Sequence, residues 1–426
     1  MTAPYDETFD GDGRLRPAYA ALGRRLGRDP LRPPPDVVER LRDRPLGDDA
    51  RVLPVPLALD DAEYRSVIQP GVAQRARALQ AFFAEAVLGG GGGLDPPLLA
   101  EILASEGTSP DALRRPWRGR AAGDVRFVYG PDLARGPDGR WMVLEDNVGC
   151  VGGAADSFFM LDAYARACGL PPCRPDLVAA LRLAAGESVV AVPGCDLAAD
   201  DPWAPRLRES ERRRRLVEGA GIPVVDGSEL DAMPAVRLVA NFHALPDAVF
   251  ARGLGLLNAP GTGVLGSKAL LPHVPDMIRR HLGEEPLLGT PPTRALRDGT
   301  LPVDAERWVV KTAAGRGGTG VFVLAELSED RLAAVRQLLA GSWPRRGAVA
   351  QRLVEPSRVC PGGPGAWDGY RVELRPVAYV LGARGVYVSE HASGRAVPAF
   401  AGRRQANVSG GACYVPVTRE ACRPAA

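Results

Sequence analysis

Apolar and polar positions alternate with different periods along the chain. From Ala62 to Leu88, AEYRSVIQPGVAQRARALQAFFAEAVL, apolar residues recur at helical spacing until five glycines at 89–93 stop the pattern. The segment up to about residue 120 therefore reads as mainly helical. Two β-type runs follow, Val125–Tyr129 and Arg140–Leu144. The intervening PDLARGPDG carries a Pro-Asp-Gly turn signal, which predicts that these runs are the two strands of a hairpin. Ser188–Val192, an arginine-rich helix ending near Gly221, then Ile222–Val225 and Val236–Ala240 alternate strand and helix, predicting a small doubly wound α/β unit. Beyond about residue 262 the pattern places Lys268 on a helical segment and Lys311 at the end of a strand beginning at Trp308. More β-type sequence continues from there.

Composition narrows the function classes. A chain of 426 residues with 46% apolar content can build two or three packed domains, and a net charge of +2 offers no reason to expect nucleic acid. The polar, acidic N-terminal stretch is unlike a secretory leader, and no apolar run reaches the length of a membrane span, so a cytoplasmic location and no membrane partner are expected. Seven cysteines without a CxxC pair argue against a disulfide framework. Four histidines without HExxH argue against zinc but leave oxygen-liganded magnesium open. The Arg212–Arg215 run is expected to be a solvated helix face.

Lysine usage changes this picture. Of 53 basic residues only two, Lys268 and Lys311, are lysines. A coding bias toward arginine explains the excess but not the exceptions. A compact ammonium is not interchangeable with a planar guanidinium, and two retained ammonium groups suggest two phosphate contacts.

Lys311 opens WVVKTAAGRGGTGVFV, residues 308–323. A strand on each side of the glycines excludes the phosphate loops that run into a helix. The alternative is a flap whose backbone N–H groups at Gly315, Gly317, Gly318 and Gly320 close over phosphates. Farther upstream, FVYGPDLARGPDGRWMVLEDN brings Asp132, Glu145 and Asn147 to the ends of adjacent strands. The period-2 spacing of Glu145 and Asn147 puts both on one face, a set of oxygen donors suited to Mg²⁺ on ATP phosphates.

These stretches, with YDETFDGDGRLRP near the N-terminus and NAPGTGVLGSKALLPHVPDMIRRHLGEEPLLGTPPT at Asn258–Thr293, closely resemble the circularly permuted ATP-grasp family, in the same order over most of the chain. The resemblance implies an α/β (α+β) class, a permuted ATP-grasp core with a small doubly wound α/β domain and a helical N-terminal region. Its implied organisation is a helical region at 1–120, a permuted core piece with the metal strands at 121–185, an α/β domain at 186–262, a lid with the lysines and flap at 263–350, and the remaining core at 351–426. ANVSGG, at 406–411, normally precedes the carboxylate strands in unpermuted relatives, so the two pieces must meet in space.

The resemblance also implies roles. Lys268, Lys311 and the 315–320 loop would contact ATP. Gln351, Leu353 and Val354 lie in the segment whose backbone reads adenine. Arg375 and Arg395 would face phosphates or an acyl phosphate, and Asn407, Gly410 and Gly411 would lie beside the reacting carboxylate. Asp132, Glu145 and Asn147 match the magnesium ligands. Three departures mark a diverged substrate pocket: Arg352 where relatives carry an acid, VGCVGG without an arginine after Glu-Asp-Asn, and a short tail after the glycine pair. The expected activity is ADP-forming ligation of a small carboxylic acid, an amino acid among the candidates, to an amine, with ATP and Mg²⁺. A catalytically degenerate nucleotide-binding partner and a phosphotransferase are the alternatives, and the oligomeric state, homodimer included, is left open.

Overall fold

The computed structural model describes residues 3–42, 51–89, 92–149, 151–192, 204–233, 235–242, 245–297, 299–313, 318–341, 347–364, 369–399, 412–420 and 422. Its centre is a seven-stranded sheet in which Cys413–Val415, Val386–Pro398, Tyr370–Leu381, Asp132–Arg135 and Trp141–Glu145 lie side by side. Arg358–Val359 and Arg126–Tyr129 also pair with Tyr370–Leu381.

The hairpin expectation is corrected here. The PDLARGPDG connection is not all turn: Asp132–Arg135 is itself a strand, pairing antiparallel with Trp141–Glu145, and the turn is confined to 136–140. Arg126–Tyr129 pairs instead with residues 378–381. DLAR is too short for a period to show, so only the long-range partner reveals it as a strand. Strands from the first third and last third of the chain form one sheet. Residues 406–411 themselves lie outside the described residues.

Helix Gln69–Leu88, entered through a π-helical turn at Tyr64–Ile68, packs on this sheet and on helix Val274–Leu282. It is the helix expected from the periodic run, and it stops at Gly89 with φ +120°. Its buried face carries Val72, Ala76, Leu79 and Phe83 into the main core, which also holds Phe127, Leu133 and Leu374.

A smaller parallel sheet, Val189–Val192, Leu238–Asn241 and Gly255–Leu256, joins helices Asp176–Ala185 and Ala204–Gly219 in an α/β unit; Ile222–Val225, expected as one of its strands, makes only a single bridge, Val224 with Ala191, and Gly255–Leu256 is the third strand instead. The third unit is an antiparallel sheet in the order Val321–Val323, Trp308–Thr312, Ala348–Arg352, Thr293–Ala295. It shares its own apolar cluster, including Val310 and Ala350, with Val335 and Leu339 of helix Glu329–Ala340. Among the described residues no helix is long and apolar enough to cross a membrane.

Candidate active site

The glycine-rich segment does return as a strand. Val321–Val323 pairs antiparallel with Trp308–Thr312, Val321 opposite Lys311. Gly318 and Gly320 both have positive φ, +81° and +76°. At Gly320 an added Cβ would also collide with Thr312 Oγ1, so this position requires glycine twice over. Gly315 and Gly317 lie outside the described residues.

The two lysines meet at the end of strand Trp141–Glu145. Lys268 Nζ lies 3.0 Å from Glu145 Oε1, and Lys311 Nζ donates to the Leu144 carbonyl at 2.7 Å. Their side chains are buried, at 3% and 5% exposure, where an ammonium is tolerated only with partners. Burial lowers the Lys311 pKa, and the Lys268 charge adds to that, while Glu145 opposes it. Lys268 departs from expectation in local structure: it sits in a turn between two short 3₁₀ segments, its N–H donating to Ala313, rather than on a helix. That bond ties it to the end of the Lys311 strand.

Next to the lysines is a guanidinium–carboxylate cluster. Arg375 grips both oxygens of Asp132, Nε at 2.6 Å and Nη2 at 2.8 Å, and its Nη1 donates to Gly152 O at 2.8 Å. Arg395 donates to Asp132 as well, and to Glu373 at 3.3 Å. Burial pushes the Asp132 carboxyl up, but the two guanidiniums outweigh it and hold it below the usual carboxylate range. Glu373 was not singled out from sequence, although strand alternation puts it on the same face as Arg375.

Asp132 and Glu145 are cross-strand neighbours, as the oxygen-donor reading requires. Asn147 is close by, its Nδ2 donating to Gly130 O at 3.1 Å. The intervening Asp146 points the other way and is fully committed. Arg75 holds both its oxygens at 2.6 and 2.8 Å, Tyr129 donates at 2.7 Å, and the arginine is only 1% exposed. This network pins the strand end that presents Glu145 and Asn147.

For magnesium the donor set is unequal. Among the described residues no group of three His, Cys, Asp or Glu side chains forms a metal cluster, and Asp132 already serves two arginines. Glu145 with Asn147 still fits a hydrated Mg²⁺, which ordinarily takes one or two protein carboxylates and leaves the rest to water and phosphate.

Gln351 lies in a strand directly beside Lys311's, with Nε2 donating to Thr293 Oγ1 at 3.3 Å. The Leu353 N–H is taken by Arg307 O at 2.8 Å, so the adenine contact that the resemblance implies in this segment would have to use other main-chain groups of Leu353 and Val354. Arg352 turns outward, pairing with Asp304 at 2.6 Å over the Trp308 ring. Asn407, Gly410 and Gly411 lie outside the described residues, but Cys413–Val415 pairs with the Arg395 strand.

The arginine run is only half a solvated face. Arg214 and Arg215 make exposed one-turn pairs with Glu218 and Glu211. Arg212 instead pairs with Asp156, and Arg213 is buried, donating to the Val151 carbonyl over the Phe242 ring. Four consecutive helical residues cover the whole circumference, so one side of the run must turn inward.

Comparison with known proteins agrees with this geometry. Residues 225–395 match the family described as circularly permuted ATP-grasp type 2. The chain is 30% identical to a Frankia alni protein named "Putative glutamate--cysteine ligase 2-3", over 83% of this chain and 47% of that protein. A protein of Frankia casuarinae carrying the same name with the suffix 2-2 is also 30% identical, over 82% and 46%. An uncharacterized protein of Synechocystis sp. is 28% identical over 92% of this chain and 91% of its own length. The chain thus spans about half the length of the two Frankia relatives. Residues 225–395 thus belong to the circularly permuted ATP-grasp type 2 family, and the architecture around them is consistent with that fold.

Proposed function

We propose that this chain joins a carboxylic acid to an amine at the expense of ATP, through an acyl phosphate, releasing ADP. The observation that carries this reading is the meeting of two buried ammonium groups, a carboxylate strand and a two-arginine cluster in one place. Ligase names among the relatives support the same chemistry.

The phosphates of ATP would lie between Lys268, Lys311 and the glycine hairpin. The ammonium groups, now turned to Glu145 and Leu144 O, are there to be shared with phosphate oxygens. Glu145 and Asn147 would hold Mg²⁺, which would supply charge neutralisation on those oxygens. Arg375 and Arg395 would orient the acid. Its carboxylate oxygen forms the new bond to the γ-phosphorus as the bond to the β-phosphate oxygen breaks, and ADP departs. The amine then attacks the carbonyl carbon, phosphate leaves with the electron pair of the C–O bond, and the nitrogen loses a proton. Asp132 has a positioning role: it holds both guanidiniums at fixed angles before substrate arrives.

The reading is tested by ADP release with Mg-ATP against a panel of carboxylic acids, with and without hydroxylamine. Acid-dependent ADP release with hydroxamate formation is expected. ADP release that yields a stable phosphorylated product and needs no amine would assign a phosphotransferase instead. Nucleotide binding with no turnover across the panel would favour a binding protein.

A further inference from the structure

A thiol, an imidazole and a carboxylate meet outside the candidate active site, where the chain runs from helix Ala154–Ala167 into helix Asp176–Ala185. Their meeting follows from a bulge. Between the pairs Pro376–Ala392 and Ala378–Val388, strand Val386–Pro398 has three residues, 389–391, where Tyr370–Leu381 has one. The N–H groups of Glu390 and His391 turn to Asp176, the first residue of its helix, at 3.0 and 3.1 Å. The same carboxylate takes His391 Nδ1 at 2.6 Å and the Tyr387 hydroxyl at 2.9 Å, which fixes the ring. Cys173 is placed by its own N–H, which donates to Asp162 Oδ1 at 3.4 Å, and its side chain is hydrogen-bonded to the His391 ring.

A nucleophile beside a nitrogen base, with the base oriented by a third group, is the arrangement that activates a thiol. Burial works against a charge on His391, but the hydrogen bonds to Asp176 and Cys173 outweigh it and raise its pKa from 6.5 to about 9. The ring is then a cation at neutral pH, the neighbour that favours reaction through a sulfur anion. The other described cysteines lack this combination. Cys360 is buried, and burial pushes the Cys413 thiol up and the Cys422 thiol to about 11. Cys168 is partly exposed like Cys173, but its sulfur accepts from Arg28 Nη2 at 3.2 Å, a cation that is no base. Pro171, Pro172 and Arg174 are exposed around Cys173, so a small reagent can reach it.

We propose that Cys173, with His391 and Asp176, is a nucleophilic thiol site that takes small disulfides and forms reversible mixed disulfides. The thiol proton goes to water, and the sulfur anion forms the new S–S bond as the S–S bond of the reagent breaks. The departing half leaves as a thiolate with the electron pair, so Cys173 is oxidised and that half is reduced. The site is independent of the ligase reading.

The test follows reaction with glutathione disulfide at neutral pH, in the native protein and in the chain unfolded by urea, with each cysteine quantified by peptide mass spectrometry. Cys173 is expected to react about tenfold or more faster in the native protein than in the unfolded chain, and faster than native Cys168, with dithiothreitol restoring the free thiol. Partial burial alone would slow it. His391→Asn, which cannot carry the charge, is expected to remove that advantage, and thermal unfolding checks that the variant folds. Should it fail to fold, the native-to-unfolded ratio of the wild type decides. A native Cys173 that reacts no faster than in the unfolded chain, or an unchanged rate in folded His391→Asn, would overturn the proposal.

Discussion

Lys311 is a cation that the fold has to justify. Its ammonium is almost fully buried, destabilised by burial and by a second ammonium, and held by one backbone carbonyl and the field of Glu145. Such a group costs stability unless binding uses it. Lys311→Met, which keeps the stem and removes the charge, should leave the melting temperature within a few degrees. It should lower kcat/KM for ATP on the order of a hundredfold, read from initial rates. Unchanged ATP kinetics would remove the phosphate role. Glu145→Gln should shift the magnesium dependence of the rate to higher concentration, as a metal titration of activity would record, and an unshifted titration would move the metal site elsewhere. The same residues show what sequence could disclose. The lysines and the Glu145/Asn147 face were legible because rarity and period-2 spacing are local properties. That Asp132 serves two arginines from residues 375 and 395 was not, because no local signal encodes a partner more than two hundred positions away.

Elements are held by buried polar clasps that no periodicity reveals. Helix Asp176–Ala185 is fastened to strand Val386–Pro398 where that strand departs from its ladder. Asp176 accepts the backbone N–H groups of Glu390 and His391 at 3.0 and 3.1 Å, the Tyr387 hydroxyl at 2.9 Å and His391 Nδ1 at 2.6 Å. Burial alone would lower the His391 pKa, but its hydrogen bonds to Asp176 and Cys173 raise it from 6.5 to about 9. A folded-state pKa above the unfolded one means stability that is complete below pH 6.5 and lost as pH rises toward 9. Melting temperature should therefore fall across that window, and His391→Asn should flatten the fall. An equally steep fall in the variant would contradict the clasp. Helix Gln69–Leu88 is tied to the site through Arg75 and Asp146. Breaking this buried pair by Arg75→Met should cost about 3–5 kcal/mol in denaturant unfolding, because Asp146 is left charged without its partner. A loss under 1 kcal/mol would show that the strand end needs no such anchor. The helix was readable from its period and its glycine stop, whereas the Asp132–Arg135 strand was not, because four residues show no period and turn residues surround them.

At the scale of the molecule, the permuted order puts the groups of the candidate site far apart in sequence and close in space. Lysines from the four-stranded antiparallel sheet and its neighbouring turn meet a carboxylate strand from the first third of the chain, and arginines from the last third close the cluster. The order of motifs made this arrangement legible as a resemblance, and the seven-stranded sheet supplies its physical basis. The identity of the acid and the amine was silent in the sequence, because no local motif encodes either. If the cluster activates a carboxylate, one oxygen of the acid must leave with phosphate. The most direct measurement uses the acid selected by the hydroxamate screen, labelled with ¹⁸O in its carboxylate, and weighs the inorganic phosphate formed during complete turnover with an amine. The account predicts one ¹⁸O atom in each phosphate from fully labelled acid; phosphate that carries none would contradict activation through an acyl phosphate.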